Sequence, residues 1–295
     1  MPFDYETEKR RLDRKLAMLE KKGFLPEGLL DMIGRTARLL LDARRDARVA
    51  LPENAELASA ARTALGAPVL PRSGFAHDRE QALRLFGELL DVAGSAGGAL
   101  TGASEIVRQA MGSGELDPEQ AFARFLDGDD GWFQAWGART PGAPRLLSFL
   151  AQASLTPSLS ATAEAVAAQA KTDTVRNVGH CPVCGSLPYM SSLREKEGFR
   201  YLSCSFCRSE YRARRLACPF CGEDNHAHLE YFESQDEPGY RVELCHSCKR
   251  YMKTADFRNL DRQHMPDLDD LESLALDILA REQGYSRPTL SAWGF

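Results

Sequence analysis

All eight cysteines of this 295-residue chain fall into four Cys-x-x-Cys pairs within one short stretch: Cys181/Cys184, Cys204/Cys207, Cys218/Cys221 and Cys245/Cys248. Two cysteines at this spacing form a tight knuckle whose sulfurs face one cation. Two knuckles carried on hairpins close a tetrahedron around zinc or iron. Eight sulfurs therefore specify two four-cysteine metal sites. Nineteen residues separate the first two pairs and 23 the last two, each enough for a hairpin that folds back, whereas only 10 lie between Cys207 and Cys218. The spacing favours sequential pairing: Cys181, Cys184, Cys204 and Cys207 in one site, Cys218, Cys221, Cys245 and Cys248 in the other. An interleaved cross-brace is the alternative.

Disulfides fit the pairs poorly. Met1 to Lys22 is charged throughout and lacks the apolar segment of an export signal, so a reducing, cytoplasmic setting is expected. A redox dithiol uses one such pair at a strand-to-helix junction, not four with no cysteine left over. Purely structural zinc, stapling a segment too small and polar to fold by burial alone, is the plainest reading.

The rest of the chain divides by composition. From Met1 to Lys171 there is no cysteine, and apolar residues recur at helical spacing. Helices are expected over Glu6–Lys22, from Pro26 to before Pro52, over Asn54–Leu65, Asp78–Val92 and Ser104–Met111, and from Asp117. Asp78 and Ser104 are candidate N-caps, and Gly94–Gly98 reads as a loop. Trp132, Phe133 and Trp136 read as core. Two further helices, Pro144–Ala153 and Ser158–Ala170, are expected around a break at Leu155-Thr156-Pro157. From Val175 to Thr254 the pattern turns to strands, with Phe199, Tyr201 and Leu202, then Leu229, Tyr231 and Phe232, then Tyr240, Val242 and Leu244 leading to or from knuckles. Gly185 and Gly222 each follow the second cysteine of a pair, where positive φ lets the backbone turn under a metal; Arg208 and Lys249 occupy the equivalent places. Asp267–Glu282 reads as a last helix with acidic first turns and an apolar face including Ile278 and Leu279. Trp293 and Phe295 are either tucked on it or exposed.

The expected organisation is α+β: an all-α domain over 1–174, tetra-Cys modules over 175–216 and 217–255, and a C-terminal helix and tail over 256–295. No apolar run approaches the roughly 18 residues a membrane span needs, so no membrane insertion is expected. Net charge is -5, and between Arg176 and Lys253 there are 12 basic and 10 acidic residues. A phosphate-binding stripe should be more one-sided, so nucleic acid is not expected despite Arg208, Arg212, Arg214 and Arg215 beside Tyr211; zinc-ribbon nucleic-acid binding stays as an alternative function. No Ser/His/Asp set, phosphate loop or His-Glu-x-x-His motif is present. His77 reads as a surface or cap residue, and His180, His226, His228 and His246 are not needed as ligands where four cysteines serve each site.

The motif order is specific. Cys181-Pro-Val-Cys184-Gly185-Ser-Leu-Pro188, Arg200-Tyr-Leu-Ser-Cys204-Ser-Phe-Cys207, Cys218-Pro-Phe-Cys221-Gly222 and Glu243-Leu-Cys245-His-Ser-Cys248-Lys-Arg-Tyr251-Met-Lys253 together resemble the FdhE family of formate dehydrogenase accessory proteins. The resemblance covers about 75 residues by motif and agrees with a helical first half. It implies rubredoxin-like modules binding two iron ions through the eight cysteines. It also implies a cytoplasmic, non-enzymatic assembly factor that acts as a chaperone on the catalytic subunit of formate dehydrogenase before export. All-thiolate sites also suit zinc, whose affinity exceeds that of Fe²⁺, and a rubredoxin-like electron carrier is a further alternative. A homodimer is possible.

Overall fold

The structure, a computed structural model, describes residues 3–48, 57–170, 175 and 177–293. Its helices are α1 (Tyr5–Lys22), α2 (Glu27–Asp46), α3 (Ala60–Ala64), α4 (Arg79–Ser95), α5 (Gly98–Gly112), α6 (Pro118–Asp127), α7 (Asp130–Gly137), α8 (Leu146–Ala170), α9 (Pro266–Glu272) and α10 (Leu274–Glu282). Its strands are β1 (Pro188–Arg194), β2 (Phe199–Cys204), β3 (Glu210–Ala213), β4 (Leu229–Glu233), β5 (Tyr240–Cys245) and β6 (Arg250–Asp256). The described residues form two compact units, one of 3–48 and 72–162, the other of 57–71 and 163–293.

The first unit is helical, as its apolar spacing requires. Carboxylate caps set the helix starts: Asp4 accepts from Thr7 N–H, Asp78 from Gln81 N–H, Asp117 from Glu119 N–H and Asp129 from Trp132 N–H. Each satisfies a donor that the first turn leaves without an intrahelical partner. Ile33, Phe86, Leu89 and Phe122 are fully buried here, with Phe86 edge-on to Phe122. Phe133 and Trp136 are buried and Trp132 half-buried. His77 is also half-buried, edge-on to Phe122, and burial lowers its pKa.

Several sequence expectations need correction. Gly94–Gly98 is not a loop of its own: α4 runs to Ser95 and α5 starts at Gly98, leaving only two residues between them. Ser104 is inside α5 and fully buried, close to the bare Cα of Gly94, so it caps nothing. Helix α2 stops at Asp46, and of the expected 54–65 helix only α3 forms among the described residues; 49–56 lie outside them. Most tellingly, Pro157 does not break the chain into two helices but lies within α8. A proline there removes one ladder hydrogen bond and crowds the carbonyl a turn back, at a cost of about 3 kcal/mol. Leu155 and Leu159 flank it at 0% exposure, and burial of the whole helix face outweighs that cost. Ser154, Thr156 and Ser160 hydroxyls donate to Leu150, Gln152 and Pro157 carbonyls, adding local bonds around the proline.

The second unit is built on a six-stranded sheet in the order β3-β2-β1-β6-β5-β4. Strands β1, β2 and β3 form one antiparallel set and β4, β5 and β6 another. The joint between the sets, β1 against β6, is parallel, with Ser191 opposite Thr254. Both sets share one plan: knuckle, two strands, knuckle, third strand. In a meander the first and third strands point the same way, so placing one set beside the other by translation requires a parallel joint. The tetra-Cys modules are thus tandem copies fused into one sheet. On it packs a core of Met190, Val242, Tyr251, Leu276 and Ala280.

The expected last helix is two, α9 and α10, meeting at Ser273. Its acidic residues are not solvated: Asp269, Asp270, Glu272 and Asp277 are buried, while Ile278 and Leu279 are exposed. The reason is a set of buried cationic and phenolic partners. Lys253 Nζ reaches Asp270 Oδ1 at 2.8 Å and Asp277 Oδ2 at 2.5 Å, and Arg287 reaches Asp270 at 2.9 Å. Tyr251 donates to Asp277, and Tyr240 Oη lies 2.8 Å from both Asp269 and Glu272. The Trp293 indole N–H donates to Asp267 O at 2.8 Å, which tucks the tail against α9; Phe295 lies outside the described residues.

Candidate metal centres

Each knuckle precedes or follows a strand end, and three of them close with the same short bond. Gly185 N–H donates to Cys181 O, Gly222 N–H to Cys218 O and Lys249 N–H to Cys245 O, at 2.9, 3.0 and 2.9 Å. These closures need a left-handed residue after the second cysteine. Gly185 and Gly222 have φ of 79° and 80°, and Arg208 and Lys249 adopt 59° and 54° despite their side chains. The sequence equivalence of the four positions is therefore a conformational one. Arg208 is held beside Asp267 at 3.7 Å and over the Tyr189 ring, and the Lys249 ammonium lies over Tyr285.

The folding back of β1–β2 and of β4–β5 brings the sulfurs together in sequential sets, Cys181, Cys184, Cys204 and Cys207, and Cys218, Cys221, Cys245 and Cys248. Within each set all four Sγ atoms lie within 4.8 Å of one another, and each set could hold a metal ion. Across the knuckles the Sγ separations are 3.7 Å (Cys181–Cys207), 3.3 Å (Cys184–Cys204), 3.7 Å (Cys218–Cys248) and 3.6 Å (Cys221–Cys245). All eight cysteines are free thiols, far from the ~2.05 Å of a disulfide. A metal–sulfur distance of ~2.3 Å gives a tetrahedron edge of about 3.8 Å, close to these separations. The donor set and its spacing fit a tetrathiolate ion.

Electrostatics point the same way. Burial pushes the Cys181 and Cys207 thiols well up, while hydrogen bonds from the neighbouring cysteines pull Cys184 down. In the second set burial raises Cys218 and pushes Cys248 up to about 11. Four thiolates at this separation need a cation to offset both desolvation and mutual repulsion. N–H groups turned toward sulfur assist: Phe206 N–H faces Cys204 Sγ at 3.4 Å and Phe220 N–H faces Cys218 Sγ at 3.5 Å.

Neither sulfur set includes a histidine nitrogen among the described residues. His246 instead anchors the fourth knuckle, with Nδ1 2.7 Å from the Tyr285 hydroxyl and Nε2 3.2 Å from Glu230. His228 Nδ1 lies 3.0 Å from Glu223, which also accepts from the Ser247 hydroxyl at 2.6 Å; these bonds and Asn225 N–H hold the Glu223 carboxyl down to about 2.

The non-cysteine members of the motif tie the modules together. Arg200 on β2, 2% exposed, reaches Glu243 on β5 at 2.5 Å, Ala217 O at 2.8 Å and Ser191 Oγ at 3.2 Å. Tyr251 and Lys253 run from the fourth knuckle into the buried carboxylates of α9 and α10. Sequence reasoning quoted these residues as motif but gave them no role. Their signal was available: a lysine two residues from a tyrosine, on the same face of one strand.

The basic cluster is engaged within the protein. Arg212 stacks on Phe199 with 3.8 Å to the ring centre, Arg214 pairs with Asp224 at 2.8 Å, Arg215 donates to Glu197 O and Arg208 faces Asp267. No helix among the described residues is long and apolar enough to cross a membrane.

Residues 180–215 match the model of the FdhE central domain and residues 216–292 that of the FdhE C-terminal domain. The chain is 36% identical over 136 residues to a "Protein FdhE homolog" of Haemophilus influenzae, covering 45% of this chain and 44% of that one. It is 33% identical over 119 residues to "Protein FdhE" of Escherichia coli, covering 39% and 38%. These matches span less than half the length of the curated relatives. The fold extends further: the crystal structure of the FdhE protein from Pseudomonas aeruginosa superposes with a TM-score of 0.68, at 25% identity, over 99% of this chain and 97% of that one. Both FdhE domain models thus match in order through the two cysteine sets, and the chain shares the fold of a solved FdhE protein along its length.

Proposed function

We propose that this chain is a non-catalytic, metal-binding accessory protein needed for active formate dehydrogenase, acting in the cytoplasm on the catalytic subunit before export. The observation that carries the reading is the match of both FdhE domain models through the two four-cysteine sets. Cys181, Cys184, Cys204 and Cys207 would hold one ion and Cys218, Cys221, Cys245 and Cys248 the other, iron by family resemblance and zinc as the alternative. Bound iron would supply one-electron chemistry, and zinc a redox-inert brace.

What the chain itself contributes is rigidity. The knuckle bonds fix the sulfurs, Arg200 with Glu243 couples the two sets, and Lys253 with its carboxylates locks the sheet to α9 and α10. The engaged arginines support a protein client over a nucleic acid.

The test is co-expression of the chain with a formate dehydrogenase catalytic subunit in a host lacking its own FdhE, followed by anoxic capture and metal analysis. Restored formate oxidation, co-purification of the two proteins and two metal ions per chain are expected. A chain that carries metal but neither binds the subunit nor restores activity, or that binds nucleic acid with a steep salt dependence, overturns the reading.

A further inference from the structure

The two cysteine sets have the same ligands and knuckle geometry but different surroundings. In the first, Cys181, Cys184, Cys204 and Cys207 are all buried. A segment from far earlier in the sequence covers it: Val69 and Leu70 N–H donate to Pro182 and Val183 carbonyls, both at 2.9 Å, and the Pro68 ring lies against Gly185. Arg208 closes the second knuckle against Asp267 and Tyr189.

In the second set the fourth knuckle is bonded from outside, by Ser286 N–H to Lys249 O at 2.9 Å and by Tyr285 to His246, but the third knuckle, which carries Cys221, is not. Cys221 is exposed and Cys248 half-buried, although Cys218 and Cys245 are buried. On the Cys218 side Gly179 presses on the knuckle so closely that a Cβ there would fall 1.9 Å from Pro219 O. On the Cys221 side, residues 224–228 are exposed, as are Gly222 and Ser247. Among the described residues, no backbone group outside 218–223 bonds to this knuckle.

Exposure of one thiolate in a tetrathiolate site governs whether an outside donor can reach the metal. We propose that the two centres divide the work: the Cys181/Cys184/Cys204/Cys207 centre keeps its ion as a fixed brace, and the Cys218/Cys221/Cys245/Cys248 centre exchanges its ion with an external thiolate or nitrogen chelator through Cys221. This rests on the reading that both sets ligate metal. The step is ligand substitution. The incoming donor's bond to the metal forms as the Cys221 sulfur–metal bond breaks, the freed thiolate takes a proton from water, and the metal keeps its oxidation state.

The experiment uses the full chain loaded with zinc and challenged with excess 4-(2-pyridylazo)resorcinol, whose colour reports released zinc. Two zinc ions per chain are expected, one leaving roughly tenfold or more faster than the other. Cys221→Ser, which removes one ligand of that centre, should lower the content to one zinc per chain, released at the slow rate of the unaltered chain. A parallel measurement needs no variant: brief N-ethylmaleimide labelling of the loaded chain, read by peptide mass, should mark Cys221 first and Cys248 next. Equal release of both zincs, survival of the fast phase in the Cys221→Ser chain, or labelling of Cys181 or Cys184 as fast as Cys221 overturns the proposal. Fewer than two zincs in the unaltered chain overturns the ligand reading beneath it.

Discussion

Lys253 Nζ sits 2.8 Å from Asp270 Oδ1 with the two side chains at 0% and 1% exposure, a charge pair sealed between strand β6 and helix α9. Arg287 and Asp277 complete the set with two cations and two anions, so the charge balances without solvent.

Lys253→Met would leave two buried carboxylates with one cation. Removing one partner of a buried pair costs about 3–5 kcal/mol, and denaturant unfolding should show a loss of that size. The double variant Lys253→Met/Asp270→Asn should recover part of it, because the uncompensated charge is gone.

The same carboxylate gives a pH signature. Burial alone would raise the Asp270 carboxyl, but Arg287 and Lys253 more than offset that and hold it below the ordinary value. A lowered folded pKa means stability present above the unfolded value of about 3.9 and lost as pH falls toward the folded one. The stability gap between the unaltered chain and Asp270→Asn should therefore be full near neutral pH and shrink once pH drops below about 4. A gap that widens in acid contradicts this account.

Arg200 should prove indispensable to coupling between modules. Arg200→Lys keeps the charge but cannot reach Glu243, Ala217 O and Ser191 together. Each charge-assisted bond lost costs roughly 1.5–3 kcal/mol. Thermal unfolding followed at the sheet should fall by several degrees, and zinc should leave both centres faster.

Gly222 has nothing within 4 Å of where a Cβ would stand, so Gly222→Ala isolates the backbone cost of its φ of 80°. About 1–2 kcal/mol of destabilisation is expected. Lys249→Gly makes the opposite change at φ 54° and should stabilise by up to about 1 kcal/mol, less the contact of its ammonium with Tyr285. Chelator resistance should rise from Gly222→Ala through the unaltered chain to Lys249→Gly.

What the sequence revealed depended on range. The sequential grouping of the cysteines was legible because Cys-x-x-Cys knuckles and hairpin lengths are local, and so were the N-caps Asp78 and Asp117 and the alternation of Tyr240, Val242 and Leu244. The parallel joint of Ser191 with Thr254 leaves no local trace. Pro157 misled because a breaker was weighed without the burial on either side of it. The burial of Asp269, Asp270 and Asp277 leaves no local trace either, because their partners Tyr240, Lys253 and Arg287 come from distant strands and the tail. The unequal cover of the two cysteine sets depends on Val69 and Leu70, more than a hundred residues from the knuckle they bond.

The parallel joint also sets a timetable for synthesis. Strand β1 leaves the ribosome with one side paired to β2, but its other side meets β6 only after roughly 60 further residues have been made. Until then the growing chain carries an open strand edge beside its first cysteine set, and such edges invite wrong partners. A first cysteine set that closed early on an ion would hold that half in place until β6 arrives.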